Sequence, residues 1–188
     1  MTSTYEYHRY QLQYLGYHFK GKRWVLKAPV HLLFLKYLFE VYPDAQIVQM
    51  HRDPLKAIPS MSSLVVISRW IHSDHVSEIK TAEQLLELMS RNINQSIAYR
   101  DAQSSSQILD ISFSELVKDT MPTVNKIYNW LGVDFTHETK ISMSNWLDIS
   151  KLKQESEPHQ YSLDQFGLNE TRIQDCFARY YERYADYL

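Results

Sequence analysis

Apolar positions along the chain follow two periods. Tyr7, Tyr10, Tyr14 and Tyr17 recur at spacings of three and four, which predicts a first helix with four rings on one core-facing stripe, ending near Gly21. Trp24-Val25-Leu26-Lys27-Ala28 is a short β-prone run stopped by Pro29. Helical spacing returns from Val30 to Tyr42, with Leu35, Leu38 and Tyr42 on the buried side and Pro43-Asp44 as the stop. Gln46-Ile47-Val48-Gln49-Met50 predicts a second strand. Asp53-Pro54 follows it closely, an aspartate placed to cap a helix and a proline at the first helical position.

From Pro54 to Tyr99 the pattern is helical in pieces, with a polar break at Ser73-Asp74-His75 and a restart at Thr81-Ala82-Glu83-Gln84. A serine-rich turn at 104–106 leads into a third strand, Gln107-Ile108-Leu109-Asp110-Ile111, and Met121 to Leu131 predicts a helix ended by Gly132. Past Phe135 come a polar helical stretch, a loop from Glu155 to His159, and a closing amphipathic helix marked by Ile173, Phe177, Tyr180 and Tyr184. Strands alternating with helices predict an α/β fold, a parallel sheet flanked by helices and joined by right-handed crossovers. At 188 residues the chain is one domain, residues 1–188, with no repeat and no low-complexity linker.

Composition narrows the function classes. Lys and Arg number 20 against 22 Asp and Glu, so a net charge of -2 argues against nucleic acid or a membrane surface as the partner and confines any anion site to a local cluster. The longest apolar run, Val30 to Leu35, is interrupted by His31 and is far too short for a membrane span. The amino terminus lacks the pattern of a signal peptide, and the single Cys176 fits a reducing compartment, so a cytoplasmic protein is expected. His72 and His75 have no Cys or carboxylate at metal spacing, and no metal is expected.

In open parallel sheets ligands bind beyond the carboxyl ends of the strands. Arg52 leaves the end of the second strand, and Ser60 lies about two turns into the next helix. A guanidinium offers phosphate a planar fork of donors, and a serine hydroxyl adds an adjustable one. On spacing alone, Arg52 equally pairs with Asp53 or another carboxylate, and Ser60 equally compensates the helix break at Pro59.

A family resemblance enters here. Trp24-Val25-Leu26-Lys27-Ala28-Pro29-Val30-His31-Leu32, then Tyr42-Pro43-Asp44-Ala45 and His51-Arg52-Asp53-Pro54, resemble the core signature of bacterial-type sulfotransferases. Ile111-Ser112-Phe113-Ser114-Glu115-Leu116, Ile127-Tyr128-Asn129-Trp130-Leu131-Gly132 and His159-Gln160-Tyr161-Ser162-Leu163 with Phe166-Gly167-Leu168 continue it over nearly the whole chain. The resemblance implies a P-loop NTPase-like sulfotransferase fold and 3′-phosphoadenylyl sulfate as the donor. An arginine after a strand and a serine eight positions later hold the donor's 3′-phosphate in that family; Arg52 and Ser60 match. Phe113 stands where relatives have a tyrosine near the nucleotide, and either shapes the adenosine site or packs in the core. His159 and Tyr161 either reach the nucleotide or belong to a surface loop. The region from Arg69-Trp70 onward corresponds to the acceptor side in relatives.

Two departures bear on activity. The family's small-residue loop after the first strand, whose amides cradle the 5′-phosphosulfate, is not among these residues; Gly21-Lys22-Arg23 precedes a strand and suits a helix-ending turn. The chain therefore reads as a sulfotransferase domain lacking its first strand and loop, truncated at the amino end. His31, opening a helix past a strand end, is the candidate general base, with Lys27 beside it, although relatives place the histidine closer to the lysine. The competing roles are a local hydrogen bond for His31 and carbonyl capping at the sheet edge for Lys27. Three functions follow: a sulfotransferase acting on a hydroxyl or amine of a small molecule or glycan; a non-catalytic nucleotide-binding or interaction protein of that ancestry; and, ranked last for want of a Walker-type loop, a kinase. An exposed sheet edge would also favour a homo-oligomer.

Overall fold

The computed structural model describes residues 1–18, 21, 23–103, 106–152 and 161–188. The loop from Glu155 to His159 lies outside the described residues, as does most of the serine-rich turn.

Strands form where aliphatic residues gather between turns. β1 is Ile47–His51 and β2 is Ile108–Ser112, paired in parallel with Ile47 opposite Ile108 and His51 opposite Ser112. Both sit one residue later than the apolar runs predict. Among the described residues the sheet has these two strands alone. The run from Trp24 to Ala28, expected as a strand, is irregular, with Trp24, Val25 and Leu26 exposed at 47%, 90% and 49%. Strand propensity expresses packing on a pleated, half-buried surface, and this run has no paired neighbour among the described residues.

Helix α1 is Thr2–His18; a 3₁₀ turn, Pro29–Phe34, leads into α2, Leu35–Val41. The tyrosine stripe of α1 is not core: Tyr7, Tyr10, Tyr14 and Tyr17 are all more than half exposed, whereas Tyr5 is buried. Two residues along a helix turn the side chain by about 200°, so the face carrying Tyr5 against α2 leaves Tyr7 and its successors outside. Tyr5 joins Leu38 and Val41 in a small satellite cluster.

The long crossover between the strands is α3, Pro54–Trp70, and α4, Glu78–Ala102. The break falls as expected around Ser73, but α4 restarts three residues earlier than predicted because Ser77, not Thr81, is the cap: its hydroxyl accepts from the Lys80 N–H. Beyond β2 come α5, Phe113–Lys118, α6, Thr120–Leu131, and α7, His137–Leu152. α6 ends at Gly132 with φ 63°, the left-handed cap the sequence predicts. The closing segment divides into α8, Glu170–Cys176, and α9, Ala178–Tyr184.

The main core gathers Ile58 and Val66 of α3, Ala82, Leu86 and Ile97 of α4, and Phe166, Ile173, Phe177, Tyr180 and Tyr184 of the carboxyl-terminal segment. Phe166 is fully buried, a contribution of roughly 1.5–3 kcal/mol. Ion pairs from Arg172 to Glu83, and from Arg179 and Arg183 to Asp101, hold α8 and α9 along α4. The last helices thus lie over the crossover and reach the ends of the strands.

Candidate functional site

The turn from β1 into α3 is built around Asp53. Its Oδ1 accepts from the Leu55 N–H at 3.0 Å, capping α3, and from the Tyr181 hydroxyl at 2.8 Å. The carboxylate next to Arg52 is therefore committed elsewhere. The parallel register sets His51 opposite Ser112, so the residues that follow, Arg52 and Phe113, emerge side by side, and the guanidinium carbon lies 4.8 Å from the centroid of the Phe113 ring. Half-buried on this shelf, the Arg52 guanidinium has no ion pair or side-chain hydrogen bond among the described residues. Phe113 is 37% exposed, a ring under a cation and not a core phenylalanine.

Ser60 is half-buried on α3, about 10 Å along the axis from the cap. Its hydroxyl makes no hydrogen bond among the described residues, so it does not repair the ladder broken at Pro59.

Behind Arg52 runs a buried polar network. His51 is fully buried; its Nε2 lies 2.7 Å from Asp110 Oδ1 and its Nδ1 2.9 Å from the Tyr180 hydroxyl. Arg100 donates to both Asp110 oxygens, at 2.8 and 2.6 Å, and also contacts Gln49 Oε1 and the Tyr184 hydroxyl. Burial alone would raise the Asp110 carboxyl, but the hydrogen bonds and charges of Arg100 and His51 outweigh it and hold it at about 2. An ionised Asp110 only accepts, so His51 carries a proton on Nε2, and in the neutral ring Nδ1 accepts from Tyr180. Burial pushes the Tyr180 and Tyr181 hydroxyls well up, which keeps both protonated and able to donate.

The remaining candidates are dispersed. His31 sits half-buried in the 3₁₀ turn, its Nδ1 2.9 Å from the Tyr5 hydroxyl; burial, then the charge of His8, lowers its pKa. It belongs to the α1–α2 side of the molecule and makes no contact with Arg52. Lys27 is exposed in the irregular segment before the turn. Tyr161 is half-buried and packs on the main core. Arg52 and Phe113 are thus the pair of candidates found in contact. A separate cleft of about 690 Å³ lies between the end of α3 and the start of α4, lined among others by Arg69, His72, His75 and Lys80 and by none of the candidates above. Arg69 is held there by Thr81 and Gln84. Among the described residues no group of three or more His, Cys, Asp or Glu side chains is placed to hold a metal ion, and no helix is long and apolar enough to cross a membrane.

Sequence reasoning missed Tyr181, Arg100 and Asp110, and left His51 free to face either way. Tyr180 and Tyr184 were legible as core of the last helix; that their hydroxyls reach the strand ends follows from tertiary packing, and only the Tyr180-Tyr181 doublet hinted at it.

The fold and this shelf can be set beside known proteins. No curated protein matches the chain. Among solved structures, the sulfotransferase STF9 from Mycobacterium avium superposes with a TM-score of 0.85 at 28% identity, over 97% of this chain and 47% of that one. The sulfotransferase STF1 from Mycobacterium tuberculosis H37Rv gives 0.67 at 29% identity, over 84% and 40%. The chain thus spans about half the length of the solved relatives it matches. The sulfotransferase family model matches residues 2–137, which include both strands, Arg52, Ser60 and Phe113. The chain belongs to the sulfotransferase family.

Proposed function

We propose that this protein binds 3′-phosphoadenylyl sulfate, with Arg52 and Ser60 on the 3′-phosphate, and serves sulfuryl transfer to a hydroxyl or amine. The observation that carries the reading is the Arg52 guanidinium, which has no ion pair among the described residues and is seated on Phe113 while Asp53 Oδ1 is taken by Leu55 and Tyr181. A half-buried cation without a counter-charge is a site for an anion, and Ser60 has a hydroxyl to spare one helix face away. Phe113 would flank the adenosine. In the transfer, a base removes the acceptor proton, the acceptor oxygen or nitrogen bonds to sulfur, and the bond from sulfur to the phosphate oxygen breaks, with its electron pair leaving on adenosine 3′,5′-bisphosphate. His31 is the candidate base: with its proton on Nδ1 donated to Tyr5 oxygen, Nε2 is the basic nitrogen, and its lowered pKa keeps it unprotonated near neutrality. Lys27 is the candidate cation for the leaving oxygen. The cleft at Arg69 is the candidate entry for the acceptor.

Calorimetry with adenosine 3′,5′-bisphosphate tests the donor site. Binding should be at least about tenfold weaker in Arg52→Ala, since charge-assisted hydrogen bonds are at stake. Indifference to that change would overturn the assignment. A second reading, nucleotide binding without transfer, is favoured by the exposed position of Lys27 away from any partner among the described residues; labelled donor that binds but neither transfers nor hydrolyses would select it.

A further inference from the structure

The carboxyl-terminal helix does more than close the core. Two points on the β1–α3 turn, one on each side of Arg52, are each held by a hydroxyl from α9. The buried His51 ring takes Tyr180 at Nδ1. Asp53 Oδ1 takes Tyr181. Below them Asp110 anchors His51, and Arg100 ties Asp110 to Tyr184. The result is a clasp in which a helix more than 120 residues away holds the side chains on both sides of Arg52. It also removes the nearest carboxylate from competition for the guanidinium.

We propose that Tyr181, backed by Tyr180, is a positioning residue for the 3′-phosphate site: it holds Asp53 away from Arg52 and sets the turn from which Arg52 reaches the phosphate. The inference rests on Arg52 binding that phosphate. Without the Tyr181 hydroxyl, Asp53 Oδ1 keeps only the Leu55 N–H and the carboxylate gains freedom to swing toward Arg52, where it would oppose an incoming anion. Among the described residues Tyr181 makes no hydrogen bond to the guanidinium and no ring contact with Phe113, so its effect is indirect.

The test separates the 3′-phosphate increment from binding in general. Affinities for adenosine 3′,5′-bisphosphate and for adenosine 5′-monophosphate are measured by calorimetry in the wild type, Tyr181→Phe, Asp53→Ala and Asp53→Asn, with thermal melts to confirm folding. Tyr181→Phe should weaken the bisphosphate about threefold to tenfold and leave the monophosphate unchanged, the size expected of one lost hydrogen bond. Asp53→Asn retains an acceptor for Leu55 and Tyr181 while dropping the competing charge, and should keep or increase the bisphosphate preference, whereas a merely structural role would cost both ligands equally. Tyr181 is half-buried at the surface, so its variant tests the clasp even where Tyr180→Phe unfolds the core. A Tyr181→Phe variant with an unchanged 3′-phosphate increment, in a protein whose increment disappears with Arg52→Ala, would overturn the clasp and leave the donor site standing. No increment in the wild type would overturn both.

Discussion

Asp110→Asn removes the charge at the centre of the buried network while keeping its shape. In the folded protein the Asp110 carboxyl is held at about 2 against an ordinary 3.8, because Arg100 and His51 favour its ionised form by more than burial disfavours it. A difference of about 1.8 pH units corresponds to roughly 2.5 kcal/mol before screening; solvent at the 15% exposed side chain trims this to about 1–2 kcal/mol. The folded pKa is depressed, so this stability is present above the unfolded pKa and is lost as pH falls through the range from about 4 to about 2. At pH 7 the variant also leaves Arg100, 12% exposed, facing a neutral amide, and breaking such a pair costs about 3–5 kcal/mol. Urea unfolding followed by circular dichroism from pH 7 to pH 2.5 would measure both terms. The gap between wild type and variant should be about 3–5 kcal/mol at neutrality and narrow by about 1–2 kcal/mol at the acid end as Asp110 itself becomes protonated. A gap below about 1 kcal/mol at pH 7, or one that stays constant with pH, would refute the idea that this pair anchors the strand ends.

Other outcomes follow from the same coordinates. The His31 ring, lowered by burial and by His8, should titrate below its ordinary 6.5 in an NMR experiment; the unfolded chain then binds a proton that the folded chain resists, so His31 subtracts stability as pH falls below that value. A midpoint at or above 6.5 would contradict this and weaken its candidacy as a base. Ser62 and Ser96 have fully buried hydroxyls without a hydrogen-bond partner among the described residues, so Ser62→Ala and Ser96→Ala should each raise the melting temperature by roughly 2–4 °C, through relief of an unsatisfied group and better helix propensity. A fall of similar size in a calorimetric scan would mean that those hydroxyls are engaged.

What could be read in the sequence was local. Asp53-Pro54 gave the start of α3 because capping is decided within one turn, and Gly132 gave the end of α6 because a left-handed residue there nearly demands glycine. Arg52 stood out for the same reason, lying directly after an apolar strand. Failures came where a local pattern needed a distant partner. Trp24 to Ala28 has strand propensity but no paired strand among the described residues, and the Tyr7 to Tyr17 stripe has perfect helical spacing but is left more than half exposed. Spacing identifies which residues share a face; it does not say which face is covered. The reach of Tyr181 to Asp53, 128 residues away, lay beyond any window of sequence for the same reason, and Arg100 and Asp110, ten residues apart, meet only because the chain turns back from α4 into β2.

The unpaired Arg52 follows from the way the surrounding charges are disposed. A half-buried guanidinium with no carboxylate partner among the described residues is an arrangement that stability alone would not favour, and the chain has the means to remove it, since Asp53 is its immediate neighbour. Asp53 is instead turned inward to cap α3 and meet Tyr181, while the cation rests on the Phe113 ring, an interaction worth about 0.5–2 kcal/mol that satisfies the charge only partly. Other arginines near the strand ends and the carboxyl-terminal helices are matched: Arg100 by Asp110, Arg179 and Arg183 by Asp101. An anion arriving at Arg52 therefore displaces no existing ion pair, and its full interaction with the guanidinium goes into binding. On the proposed reading, a chain with a net charge of -2 would hold a phosphate through this one local cation, not through its overall charge.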